Sequence, residues 1–137
     1  MPLFYADASA LVKLVRVESE SASLHAYLED ADLVSSELLL VELPRAARRV
    51  AALDPEFRLE ALLERTYGVI DEVALQPLES SLLIAAGALT EPGLRALDAI
   101  HVISAVAVHP IDAFITYDNR QAAAARLAGL RTMAPGR

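Results

Sequence analysis

Short runs of consecutive apolar residues alternate along this chain with longer segments whose apolar positions recur every three or four residues. The first pattern predicts buried strands and the second predicts helices. Leu3–Asp7, Leu33–Ser35, Val69–Leu75 and Ala113–Tyr117 are the predicted strands, and Leu130–Met133 is a short candidate for a final one. Helices are predicted over Ser9–Val17, Glu20–Glu29, from a Ser35 or Ser36 cap to Leu53, from Asp54-Pro55 to Gly68, Pro77–Ala88, Leu94–Val108 and Asn119–Ala128. The stop and start signals are ordinary ones: a serine or aspartate cap, proline in a first turn, glycine after a last one. Short apolar strands alternating with helices imply an α/β fold with a parallel sheet covered on both faces. In such sheets ligands bind beyond the carboxyl ends of the strands.

At 137 residues, with no internal repeat and no Gly-, Pro- or Ser-rich linker, the chain reads as one domain over 1–137. There is no cysteine. This excludes a disulfide framework, a thiol nucleophile and a cysteine zinc site, and it fits a cytoplasmic location. Met1-Pro2-Leu3-Phe4-Tyr5 carries no positive leader, so no signal peptide is expected, and charges interrupt every apolar run before membrane-spanning length. The net charge of −7 argues at first against a nucleic-acid partner. A nuclease that works through metal escapes that rule, because it concentrates carboxylates that bound cations then neutralise.

Most of the 19 acidic residues fall in polar stretches or at helix starts, where negative charge is favoured. The exceptions are Asp7, Glu42, Asp98 and Asp118. Asp7 closes Phe4-Tyr5-Ala6 and Asp118 closes Phe114-Ile115-Thr116-Tyr117, so both stand at carboxyl ends of strands. Glu42 interrupts Leu38-Leu39-Leu40-Val41 and Leu43, and Asp98 lies in mid-helix within Ala96-Leu97-Asp98-Ala99-Ile100. A buried carboxylate without a partner costs several kcal/mol. Lys13 is the only lysine, and Arg95 is the one arginine close in sequence to Asp98. Taken singly, Asp7 and Asp118 could cap the following helices, and Glu42 could pair with Arg45 or Arg49 along its own. Taken jointly, the acids read as one cluster, and oxygen-only ligands suit Mg²⁺ or Mn²⁺ rather than zinc.

Four segments carry a resemblance. Asp7-Ala8-Ser9-Ala10-Leu11-Val12-Lys13-Leu14 resembles the opening of PIN domains, especially those of VapC toxins. Ser36–Glu42, Leu97-Asp98-Ala99-Ile100-His101 and Phe114-Ile115-Thr116-Tyr117-Asp118 are similar to the three later motifs, in family order and at family-like spacing. Pro44, just after Glu42, departs from the pattern and predicts a bend there. The resemblance implies a three-layer α/β/α sandwich, a Mg²⁺- or Mn²⁺-dependent endoribonuclease acting as the toxin of a toxin–antitoxin pair, a cognate VapB-type antitoxin and a homodimer. Asp7 and Asp98 would then be the main metal ligands, with Glu42 and Asp118 binding directly or through water.

Further residues have two readings each. Ser9 and Thr116 orient the ligands or simply cap and fill a strand face. Arg45, Arg48 and Arg49 hold RNA phosphates or form a solvated helix face. His101 shares a helix face with Asp98 and reads as a hydrogen-bonded packing residue, or as one that orients Asp98. The apolar Ala22, Leu24, Tyr27 and Leu28, with Leu62-Leu63, suggest a surplus of apolar surface available for association. Two other functions compete: a haloacid-dehalogenase-like phosphohydrolase with Asp7 as nucleophile, which lacks an aspartate at Ser9 and a late lysine, and a catalytically silent PIN-fold binding module.

Overall fold

In the computed structural model, which describes Met1 to Arg137, the chain runs β1 (Leu3–Ala6), α1 (Ala8–Val15), α2 (Ser21–Leu28), β2 (Asp32–Ser36) and α3 (Leu39–Leu53). It continues with α4 (Leu59–Asp71), β3 (Val73–Gln76), α5 (Ser80–Gly87), α6 (Ala96–Ala107), β4 (Ala113–Ile115), α7 (Asn119–Leu127) and β5 (Thr132–Met133). The five strands form one sheet in the order β3-β2-β1-β4-β5, and every neighbouring pair is parallel.

Alternation along the strands divides the core into two layers. Phe4 and Ala6 of β1, with Ala113 and Ile115 of β4, face a cluster built with Leu11, Val15, Leu24, Leu39, Leu43, Leu62 and Ile70 of α1–α4. Tyr5 and Phe114 point the other way and pack with Val102 and Ala105 of α6 and Ala124 and Ala125 of α7. The Tyr5 and Phe114 rings stack at 5.1 Å. The result is the three-layer α/β/α sandwich with a parallel sheet. The chain builds outward from β1 through β2 to β3 and then crosses to the other side of β1 to lay down β4. That reversal opens a crevice at the carboxyl ends of β1 and β4, where a parallel sheet places its ligand site.

Several boundaries differ from the sequence reading. Asp54 does not cap α4; its Oδ1 accepts from the Glu56 amide at 3.0 Å, and the helix starts five residues later at Leu59. Gly68 does not stop that helix, because Leu62, Thr66 and Ile70 form a buried stripe that carries it to Asp71 and leaves β3 shorter. α5 begins at Ser80 and α6 at Ala96, each later than predicted. Pro44 lies inside α3, which continues through it. Leu24 and Leu62 are fully buried, Tyr27, Leu28 and Leu63 pack against the core, and of this set only Ala22 is exposed, so most of that apolar surface is covered within the chain.

Lys13, the only lysine, is buried at the end of α1. Its Nζ donates to Glu18 at 3.0 Å and Glu20 at 3.1 Å, and stands 4.6 Å from the centre of the Tyr117 ring. Arg137 Nε donates to the second oxygen of Glu20 at 2.7 Å, so one carboxylate ties the chain end to α1 and α2. Donors from Ser19, Arg137 and Lys13 hold the Glu20 carboxyl down at about 2. A lowered folded-state value adds stability above the ordinary glutamate range and loses it as pH falls toward the folded value. Glu20→Gln should therefore melt below the wild type at neutral pH, and the gap should close between about pH 5 and pH 2. A gap that is unchanged in thermal melts across that range would show that Glu20 is not held this way.

Candidate active site

Asp7 follows β1 directly and caps α1: its Oδ1 accepts from the Ala10 amide at 3.0 Å and the Ser9 hydroxyl at 2.7 Å. Thr116, just past β4, donates to Oδ2 at 2.5 Å. The carboxylate is 2% exposed. Burial pushes its pKa up, and the Thr116 and Ser9 hydroxyls, the His101 ring and the Ala10 amide each pull it back. Ser9 and Thr116 thus both serve Asp7. Thr116 also accepts from the Asp118 amide at 3.1 Å, which links the two strand-end acids through one hydroxyl.

Asp118 caps α7, with Oδ1 accepting from the Arg120 amide at 2.9 Å and the Gln121 amide at 3.1 Å. Asp98 is not in mid-helix. The chain stays extended through Arg95, and Asp98 falls in the first turn of α6, half-buried. Burial raises its carboxyl most, and repulsion from Asp118 and Glu42 raises it further against the pull of Arg95 and His101. The Arg95 Nε lies 3.9 Å away on an exposed side chain, a weak counterion. Glu42 occupies the first turn of α3. All four acids therefore cap or begin a helix, where unpaired amides and the helix dipole favour negative charge. Capping and clustering, which looked like competing readings, are one arrangement.

His101 does not orient Asp98. It is buried between Tyr5 and Glu42, with the Tyr5 hydroxyl 2.7 Å from Nδ1 and Glu42 Oε1 2.6 Å from Nε2. Burial pushes the Tyr5 phenol well up, so it stays protonated. A carboxylate only accepts, so Nε2 is the donor to Glu42. This relay fixes Glu42 from the sheet side, so Glu42 does not pair with Arg45 or Arg49.

Gln121 was missed in the sequence. It is buried at the start of α7, and its amide reaches both Asp7 and Asp98. The available signal was a lone polar residue on the same helix face as Ala124 and Ala125, three positions after Asp118. From Ser9 and Glu42 an open groove of about 790 Å³ runs between α1 and α3. Val12, Val41, Val50 and Leu53 give it apolar walls, and Arg16, Arg45 and Arg49 line it with positive charge. Arg48 is not among its lining residues.

A PIN-domain family profile matches residues 4–127. The chain belongs to the PIN-domain family, and within it to the VapC type. It is 37% identical over 140 residues to ribonuclease VapC35 of Mycobacterium tuberculosis, covering 98% of each chain. It is 31% identical to ribonuclease VapC47 and 34% identical to ribonuclease VapC46 of the same organism, each over 98% of this chain. Among solved structures, the crystal structure of PAE2754 from Pyrobaculum aerophilum matches 96% of this chain and 83% of its own. Its TM-score is 0.64 at 21% identity, which supports the fold.

The Tyr5–His101–Glu42 relay carries a stability prediction. Tyr5→Phe leaves Nδ1 of a buried ring without a hydrogen-bond partner, which costs about 1–3 kcal/mol. Urea denaturation should show a lower midpoint with an unchanged slope. A midpoint equal to the wild type would mean that the phenol does not hold the ring.

Proposed function

We propose that this protein is a Mg²⁺- or Mn²⁺-dependent endoribonuclease, the toxin of a toxin–antitoxin pair, acting in the cytoplasm. The observation that carries this reading is the convergence of Asp7, Glu42, Asp98 and Asp118 at the β1/β4 switch point, with no strong protein counterion for Asp98. Its relatives named as ribonucleases support the reaction class, because the likeness spans nearly the whole chain.

The donor chemistry fits a hard cation: carboxylate oxygens, no thiol, and the one histidine at the site engaged on both ring nitrogens. As the side chains lie, no three acidic or histidine groups stand at metal-ligating spacing, so loading would require side-chain movement. Asp7 and Asp98 would hold the cation, with Asp118 and Glu42 binding directly or through water. When bound, it would polarise a phosphate oxygen and lower the pKa of an attacking water.

The chain's own groups do the rest. Ser9 and Thr116 keep the Asp7 carboxylate in one orientation, and His101 does the same for Glu42. Glu42, Asp98 and Asp118 are partly exposed and would be the carboxylates able to take a proton from water, whereas Asp7 is buried. Arg16, Arg45 and Arg49 would hold RNA phosphates along the groove that leads to Glu42. The same groove, with exposed Val41, Leu53 and Leu97 at its edge, would receive the apolar segment of a VapB-type antitoxin. Exposed Leu83 and Ile84 on α5 offer a face for a second copy. The phosphohydrolase reading is weaker, because Ser9 stands where that chemistry needs an acid and is already bonded to Asp7.

Asp7→Asn and Asp98→Asn should each lower cleavage of RNA by at least about 100-fold, the scale on which a metal site responds to losing even a supporting group. The metal-free melting temperature should hold or rise in Asp98→Asn, which removes a carboxylate that burial and its acidic neighbours penalise, and should fall in Asp7→Asn, whose new NH₂ would face donors that now bond the carboxylate. Cleavage assays with Mg²⁺ or Mn²⁺, paired with melts in chelator, measure both. Wild-type activity in either variant would remove that residue from the site.

A further inference from the structure

Gln121 is 2% exposed, and its amide end stands 2.8 Å from Asp7 Oδ2 and 3.3 Å from Asp98 Oδ1. An amide oxygen at that point would face only acceptors, whereas the nitrogen donates to both carboxylates. With the nitrogen there, Asp7 is saturated. Oδ1 takes Ser9 and Ala10, and Oδ2 takes Thr116 and Gln121, which fills the roughly four lone-pair sites of a carboxylate. Of these donors only Gln121 also reaches Asp98. A cation shared by the two carboxylates would therefore have to displace this amide.

We propose that Gln121 is a two-way residue of the acidic site. Without a cation its NH₂ group clasps Asp7 to Asp98. With one, the terminal amide turns over and gives its oxygen to the same ion. The proposal rests on the metal reading above and adds a neutral ligand to the four acids. The separations favour it. Cis oxygens around an octahedral Mg²⁺ with bonds of about 2.1 Å lie roughly 3 Å apart. The observed 2.8 and 3.3 Å fall on either side of that value. A single half-turn of a planar amide exchanges donor for acceptor without moving the backbone of α7, which the Asp118 cap holds in place. An amide also supplies an oxygen without adding negative charge beside Asp98, which Asp118 and Glu42 already repel.

The test uses the full-length wild type, labelled with ¹⁵N at glutamine, and the variant Gln121→Glu. The Gln121 NH₂ signal is assigned by its loss in the variant. In chelator it should exchange slowly with solvent, as a buried amide bonded to two carboxylates does, and Mg²⁺ should shift it and release that protection. The Gln121→Glu variant loses the clasp and gains a charged ligand. It should melt lower than the wild type in chelator and bind Mn²⁺ at least about 10-fold more tightly by calorimetry, on the scale of supporting groups at metal sites. If Mn²⁺ binds the wild type but the NH₂ signal is indifferent to Mg²⁺, or the variant's affinity lies within about 2-fold of the wild type, the role of Gln121 is overturned and the metal reading stands. If the wild type binds neither ion at millimolar concentration, both fall together.

Discussion

Holding the Asp7 carboxylate in the interior is the constraint on which the rest of this structure depends. It sits where β1 ends, under the crossing that places β4 beside β1, and it is almost wholly out of solvent. A charge in that position needs donors from every side. They come from the first turn of α1, from Thr116 beyond β4, and from Gln121 on α7. The order of the strands and the docking of α7 are thus tied to one side chain. The same logic places the other three acids in or before first helical turns, where helix ends supply donors or a favourable dipole. The fold concentrates negative charge by aiming positive helix ends at one crevice.

Two groups of interactions then divide the work. On one side of the sheet, Lys13, Glu20, Tyr117 and Arg137 form a closed ion-pair cluster that fastens the chain end without entering the crevice. On the other, the Tyr5–His101–Glu42 relay leads from the aromatic core to the crevice, so core packing and the position of the Glu42 carboxylate are mechanically linked. The second group ends at Glu42, in the crevice. The groove lined by Arg16, Arg45 and Arg49 begins there, so the arginine-lined surface and the acidic crevice meet at Glu42.

Asp7 and Asp118 were legible because a parallel strand shows itself as a short apolar run with an acid after it, although β4 ends at Ile115 and Asp118 stands three residues beyond, capping α7. The parallel sheet with helices on both faces followed from the alternation of periods, and the motif order pointed to the family. Depth along a helix was harder to read. Asp98 looked central because apolar residues surround it, yet Leu94 and Arg95 remain outside α6 and leave it in the first turn. Gly68 looked like a stop, but the buried stripe of Leu62, Thr66 and Ile70 outweighs one glycine. Partners across the sheet were not legible. Nothing local says that His101 meets Glu42 from 59 positions away, or that Gln121 reaches across to Asp7.

The central claim is that the four acids form one cation site at the β1/β4 crevice. A crystal of the wild type soaked in Mn²⁺, with data collected at the manganese absorption edge, tests it without reference to any substrate. The account predicts an anomalous peak bounded by Asp7, Asp98 and Asp118, with Glu42 bound directly or through water. No peak at that crevice in a crystal whose site is open to solvent, or a peak only on surface carboxylates elsewhere, would contradict it.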